Sequence, residues 1–163
     1  MSNSFEYAAF AATHLDACLA LFDDNCPEFF APNERADYEA FLASAPEGYC
    51  VCVTNGRVVA AFGVIDDGRV ARRRLNWILV ARDGQGRGVG RAIMAEVLRT
   101  AADGNARVID IAASQQSAPF FARFGAREIR RQRDGWGPGM HRVDMELPLS
   151  PTPTALEGRR ASP

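Results

Sequence analysis

Residues 83–92 read DGQGRGVGRA, with Gly84, Gly86, Gly88 and Gly90 at alternate positions and Arg87 and Arg91 among them. Glycine packs nothing and costs conformational entropy, so such a run marks a place where bare backbone is the working surface. An apolar strand pattern precedes it and a helical pattern follows. That order aims backbone N–H groups and a helix dipole at an anion, and phosphate is the natural occupant. Two common phosphate loops are excluded. All 19 basic residues are arginine, so there is no Walker A lysine, and no Schiff-base lysine either. The dinucleotide fingerprint G-x-G-x-x-G fails: after Gly84 and Gly86 its last glycine falls on Val89, and after Gly86 and Gly88 on Arg91. What remains is Gln85-x-x-Gly88-x-Gly90.

Acid–base candidates are fewer. Asp110 sits in the apolar run RVIDIAA. A carboxylate there is either shifted and functional or turned to a polar edge. His141 shares a strand face with Val143, Met145 and Leu147. It reads as a structural histidine, although it titrates in the useful range. Cys18, Cys26, Cys50 and Cys52 form no C-x-x-C and no zinc spacing. Cys50 and Cys52 share one strand face and read as buried thiols of a reducing cytoplasm. No metal is expected. A net charge of −1 and a pI near 6.1 favour neither nucleic acid nor an anionic membrane. No run is long and apolar enough to span a bilayer. MSNSFEYAAF has no basic region ahead of its apolar residues, so the expected compartment is the cytoplasm.

The elements that position these groups can be read from periodicity. With 163 residues, 47% of them hydrophobic, one domain over 1–147 is expected. The proline-rich tail 148–163 reads as a flexible end. A first helix begins near Thr13, with Asp16 as a weak capping echo. NCPEFFAPNE (25–34) interrupts it, and a second helix covers 34–43. Strands 49–53 and 57–65 flank Asn55-Gly56, a hairpin signal. A third strand, 70–80, completes an antiparallel meander. Val58 to Ile65 is apolar throughout, so that strand is covered on both faces. A helix over 88–103 follows, with Gly104 as its C′ residue. Strand 107–113 then lies parallel to 70–80. Ser117 caps a short helix stopping at Gly125, and strands 126–133 and 140–147 close the chain. Arg72 to Arg74, Arg130, Arg131 and Arg133 read as solvated strand edges.

The segment WILVARDGQGRGVGRAIM, with its Gln85-x-x-Gly88-x-Gly90, resembles the pyrophosphate motif of the GNAT superfamily of N-acetyltransferases. SAPFFARFGAREI is similar to that superfamily's second signature. The element order matches over about residues 5–147. The resemblance implies an α/β (α+β) fold: a mixed central sheet, an antiparallel N-terminal meander, a splayed parallel central pair and helices on both faces. It implies acetyl-CoA as co-substrate. Backbone amides of Gln85, Gly86, Arg87, Gly88, Val89, Gly90 and Arg91 would hold the pyrophosphate. Main-chain groups of Ile78, Leu79 and Val80 would pair with pantetheine, and an N–H at Leu79 or Val80 would serve as oxyanion donor. Ser114 matches a polar position beside the coenzyme. Phe121 occupies the place of the tyrosine that often protonates the leaving thiolate, and has no proton to give. Tyr38 and Tyr49 are conceivable substitutes.

The implied reaction is acetyl transfer to an amine by direct attack in a ternary complex. Glu28, in the 25–34 loop that commonly lines the acceptor site, is the candidate base. Phe29, Phe30 and Trp136 are candidate acceptor walls. The acceptor would be a small-molecule or peptide amine, with no nucleic-acid or membrane partner, and a homodimer stays open. The competing reading is a coenzyme A-binding sensor or interaction module with little catalysis.

Overall fold

The computed structural model describes residues 4–150, so the tail beyond Ser150 lies outside the described residues. Asn55 and Gly56 both adopt positive φ (50° and 72°), which joins β2 (Tyr49–Thr54) to β3 (Arg57–Ile65) by the expected tight turn. β1 (Glu6–Ala9), which the sequence pattern does not announce, pairs outside β2. β4 (Arg72–Val80) completes the antiparallel meander. β5 (Val108–Ser114), β6 (Arg127–Gly137) and β7 (Met140–Pro148) follow, and the sheet order is β1-β2-β3-β4-β5-β7-β6.

Six consecutive residues of β3, Val59–Val64, are buried, because cores lie on both faces. On one, Phe62 and Val64 meet Ile93, Met94 and Val97 of α3 (Val89–Asp103). On the other, Ala61 meets Cys18, Leu21 and Phe22 of α1 (Leu15–Asn25), together with Tyr38 and Leu42 of α2 (Glu34–Ala43). Cys50 and Cys52 are free thiols in the sheet, and burial raises the pKa of both.

Among the described residues the one parallel strand pair is β4–β5, and it is short. It runs from Arg72↔Val108 to Leu75↔Ile111, four residue pairs, although both strands continue. A bulge bends β4 just past the seam. Its register with β3 passes from Gly63↔Asn76 to Ala61↔Leu79, leaving Trp77 and Ile78 opposite Phe62. Trp77 carries the strain, with φ at 44°.

Arg72 bridges β4, β5 and β7, donating to Asp110 (2.6 Å) and to Glu146. Arg73 donates to the Gly104 carbonyl (2.8 Å). These two are therefore not solvated edge residues, because β4 is central; Arg74 alone of the three is exposed, beside Asp67. At the end of α3, Gly104 has φ −83°, and the left-handed residue is Asn105 (φ 58°). A Cβ on Gly104 would lie 2.9 Å from the tip of the Arg73 side chain, which would have to shift.

Two expected caps differ as well. The Ala11 N–H donates to His14 Nδ1 (3.0 Å), and α1 starts at Leu15 with no side-chain cap. Ser117 stands before α4 (Ala118–Ala122), but its hydroxyl accepts from the Ser114 N–H (3.0 Å). His141 is partly exposed and accepts the Asp134 N–H (3.0 Å), a satisfied structural histidine.

Candidate functional site

Where β4 and β5 part, a cavity of about 1170 Å³ opens. Ile78 and Val80 line it from β4, and Ile111, Ala112 and Ser114 from β5. One end is walled by Gly86, Gly88, Gly90 and Arg91 with Phe120, Phe121 and Phe124. Phe29, Phe30, Glu34, Trp77 and Trp136 also line the cavity, as does Asn25 beside the loop.

The glycines of the loop divide by task. Gly86 (φ 76°) and Gly88 (φ 85°) take left-handed turns, and a Cβ on either would meet nothing within 4 Å, so open space lies in front of them. Gly84 and Gly90 serve packing, since a Cβ would come within 3.1 Å of Val89 and of the Phe120 ring. Backbone bonding narrows the donor set. Gln85 N–H donates to Arg82 and Arg87 N–H to Gly84, and the first helical bond runs from Ala92 to Gly88. The amides of Gly86, Gly88, Val89, Gly90 and Arg91 donate to no backbone carbonyl within the described residues. Five amides at the N-terminus of a four-turn helix form an anion cradle. Arg87 and Arg91 make no ion pair among the described residues.

Gln85 turns its side chain inward, donating to Asn25 Oδ1 (3.1 Å) and the Val80 carbonyl (3.2 Å). Asn25, buried at the end of α1, donates to that same carbonyl (2.9 Å) and to Leu21 (2.8 Å). One buried amide thus ties α1, the loop and β4 together. Sequence reading overlooked it because a helix-terminal asparagine ahead of a proline reads as a stop signal.

The main chain of β4 can be sorted by alternation. Ala81 N–H donates to the Val59 carbonyl. The next pair, Ala60↔Val80, is then non-hydrogen-bonded, and Ala61↔Leu79 is bonded. Leu79 spends its main chain on β3 and its side chain in the α1–α2 core. Val80 turns its N–H toward the open side, while its carbonyl already holds Asn25 and Gln85.

The remaining candidates fall in distinct places. Phe29, Phe30 and Trp136 line the cavity; Phe30 stacks on Trp77 (5.9 Å), and the Trp136 N–H donates to the Ala113 carbonyl (2.9 Å). Phe121 lines it as well, beside Phe120. Ser114 is buried at the rim, its hydroxyl 3.2 Å from that of Ser117. Glu28 is not a lining residue: it is half exposed and ion-paired with Arg82. Tyr38 and Tyr49 lie in the α1–α2 core, where burial raises both pKa values, and neither hydroxyl reaches the cavity.

Three carboxylates line the cavity. Hydrogen bonds from Arg72 hold Asp110 below its ordinary value, and Asp144 is bonded to Arg142 (2.8 Å). The third, Glu34, escaped the sequence reading because an acidic residue in a first helical turn is commonplace. It is 5% exposed and accepts the Ala31 N–H through Oε2 (2.7 Å). Burial, with Asp37 adding to it, pushes its pKa up to about 7 against that hydrogen bond. The cations lining the cavity are all arginines: Arg69, Arg74, Arg91, Arg123, Arg130 and Arg142. Among the described residues no cluster suited to a metal ion occurs, and no helix is long and apolar enough to cross a membrane.

No curated protein matches the sequence. Solved structures do match in fold. The ribosomal-protein-S18-alanine N-acetyltransferase of Escherichia coli is 18% identical with a TM-score of 0.73, covering 94% of this chain and 99% of its own. An aminoglycoside 6'-N-acetyltransferase complexed with coenzyme A is 12% identical with a TM-score of 0.70, covering 91% and 99%. The N-acetylglutamate synthase of Neisseria gonorrhoeae, complexed with coenzyme A and N-acetyl-glutamate, is 10% identical with a TM-score of 0.71, covering 93% of this chain and 36% of its own. The model of the acetyltransferase (GNAT) family matches residues 18–126, which include the β4 bulge, the glycine cradle, the parted strands and α4. The chain belongs to the GNAT acetyltransferase family.

Proposed function

We propose that the protein transfers an acetyl group from acetyl-CoA to an amine. The observation that carries this is the four-pair β4–β5 seam, which opens beside an anion cradle of five free amides. The fit to the coenzyme is chemical. A pyrophosphate suits the amides of Gly86 and Gly88 to Arg91, with Arg87 and Arg91 adding fixed charge. An amide-bearing pantetheine arm suits main chain that has lost its neighbouring strand, at Ile78 and Val80. When bound, the coenzyme supplies an activated acyl thioester. The Val80 N–H, on the open side of β4, polarises its carbonyl. The acceptor approaches from the end walled by Phe29, Phe30 and Trp136. Ser114 borders the coenzyme through its hydroxyl pair with Ser117.

An alkyl ammonium has a pKa of about 10 and must lose a proton before it attacks. The leaving thiol, with an intrinsic pKa of about 8.5, departs without strong acid help. Phe121 is thus compatible with turnover, and much of the rate comes from holding two substrates together.

Calorimetry with acetyl-CoA tests the first half of this reading. Binding should be abolished by Gly88→Glu, which puts a side chain at a left-handed position and a negative charge in the cradle. No binding to the native protein overturns the proposal. Thiol release across a panel of amines tests the second half. Binding without release for any acceptor would instead favour a coenzyme A-responsive module.

A further inference from the structure

Asp110 and Asp144, two of the three cavity carboxylates, already hold arginines. Glu34 holds only a backbone N–H, through one oxygen, and has no cationic partner among the described residues. A buried carboxylate is costly unless something pairs with it. Phe29, Phe30 and Trp77 line the same cavity, Phe30 stacked on Trp77 (5.9 Å), and so does Trp136, whose ring already carries the Arg142 guanidinium (5.1 Å). A carboxylate in an aromatic enclosure is built for a cation with an apolar body.

We infer that Glu34 is the acceptor's anchor and its base: it pairs with the ammonium of a primary alkyl amine and takes one proton from it. This rests on the acetyltransferase reading above. The step balances as follows. The ammonium gives one proton to a Glu34 oxygen and becomes a neutral amine. The nitrogen lone pair forms the C–N bond at the thioester carbonyl carbon, and the C–S bond breaks. The departing sulfur takes the second nitrogen proton, and Glu34 returns its own proton to solvent. No separate acid is needed, in keeping with phenylalanine at 121.

The groups around Glu34 leave it this role. Asp37, on the same helix, raises its proton affinity. Arg35 is turned to Asp23 (2.8 Å) and Glu39 (3.7 Å). The Cys26 thiol after α1 is itself raised, by burial and then by Asp23 and Glu34. Of the cavity's arginines, Arg69 and Arg142 are engaged with Asp67, Asp110 and Asp144, and Arg74 with Asp67, while Arg91, Arg123 and Arg130 make no ion pair among the described residues.

Glu34→Gln separates charge from structure, because its amide oxygen can still accept the Ala31 N–H. The variant should bind acetyl-CoA as the native protein does in calorimetry. Its kcat/KM for an amine such as n-butylamine should fall about 100-fold or more. The native profile should rise through a pKa near 7, and the variant should lose that limb. A variant within threefold of native, with the limb retained, overturns the role of Glu34 and leaves acetyl transfer standing. A native protein that binds no acetyl-CoA, or acetylates no amine, overturns the parent reading and this inference with it. A second readout needs no variant. At pH 7 the coenzyme A complex should release about half a proton as it takes up n-butylammonium, because the ion pair lowers a pKa near 7. Uptake of n-butylammonium without proton release also overturns the assignment.

Discussion

Tyr49 donates to the Trp77 carbonyl (2.8 Å), and its oxygen lies 2.7 Å from that of Tyr38, inside the α1–α2 core. The carbonyl so held belongs to the strained residue of the bulge. Tyr49 therefore shapes the cavity from behind without touching its contents. Tyr49→Phe should cost about 1–3 kcal/mol, since it orphans a buried carbonyl and a buried hydroxyl. It should also raise the KM for acetyl-CoA more than it lowers kcat. Urea denaturation and steady-state kinetics check the two parts. Phe121→Tyr asks a different question. If the leaving sulfur takes its proton from the attacking nitrogen, the added hydroxyl changes kcat by less than about twofold at neutral pH. A rise beyond tenfold would show that proton donation had been limiting.

Among the elements, the β4–β5 seam joins the two halves of the sheet through only four residue pairs. Arg72 reinforces it by gripping Asp110 on β5 and Glu146 on β7. The Asp110 pKa is lowered, chiefly by its hydrogen bonds from Arg72. A depressed carboxylate contributes stability that is present above its unfolded value, about 3.9, and is lost as pH falls through the folded one. Arg72→Met should therefore lower the unfolding free energy from urea denaturation at pH 7 by about 1–3 kcal/mol, because Glu146 loses its partner and Asp110 keeps only Arg69. It should also flatten the acid limb below about pH 4. An unchanged acid limb would contradict the assignment. The elements themselves were mostly legible. The boundaries of α2 and β3 follow from apolar periodicity, and the β2–β3 turn from Asn55-Gly56. The cradle was legible because only glycine serves at Gly86 and Gly88. The acceptor end was not. Asn25 draws its importance from the carbonyl of Val80, distant in sequence, and Glu34 from its burial in the folded chain. Glu28 looked equivalent to Glu34 in composition, yet the fold gives it to Arg82. Asn105, not Gly104, takes the left-handed cap (φ 58°), and asparagine adopts that conformation more readily than most residues.

For the molecule as a whole, ligand and stability are linked. A cavity that passes between the two halves of the sheet reaches both cores, so its occupant favours the folded chain alone. Acetyl-CoA at 100 times its dissociation constant should add about 2.7 kcal/mol, which for a domain of this size raises Tm by about 5–10 °C. Gly88→Glu should erase that shift in a thermal melt. The all-arginine lining of the cavity has a further consequence, for durability. A guanidinium stays protonated far above neutral pH and is a poor nucleophile toward an acyl group. The chain has no lysine, so no ε-amino group stands near the thioester to compete with the acceptor. An activated acyl donor can then rest in the cavity without labelling its host. Prolonged incubation with acetyl-CoA should leave every side chain free of amide-linked acetyl groups by intact-mass spectrometry, and the cationic rim should keep its charge through every turnover.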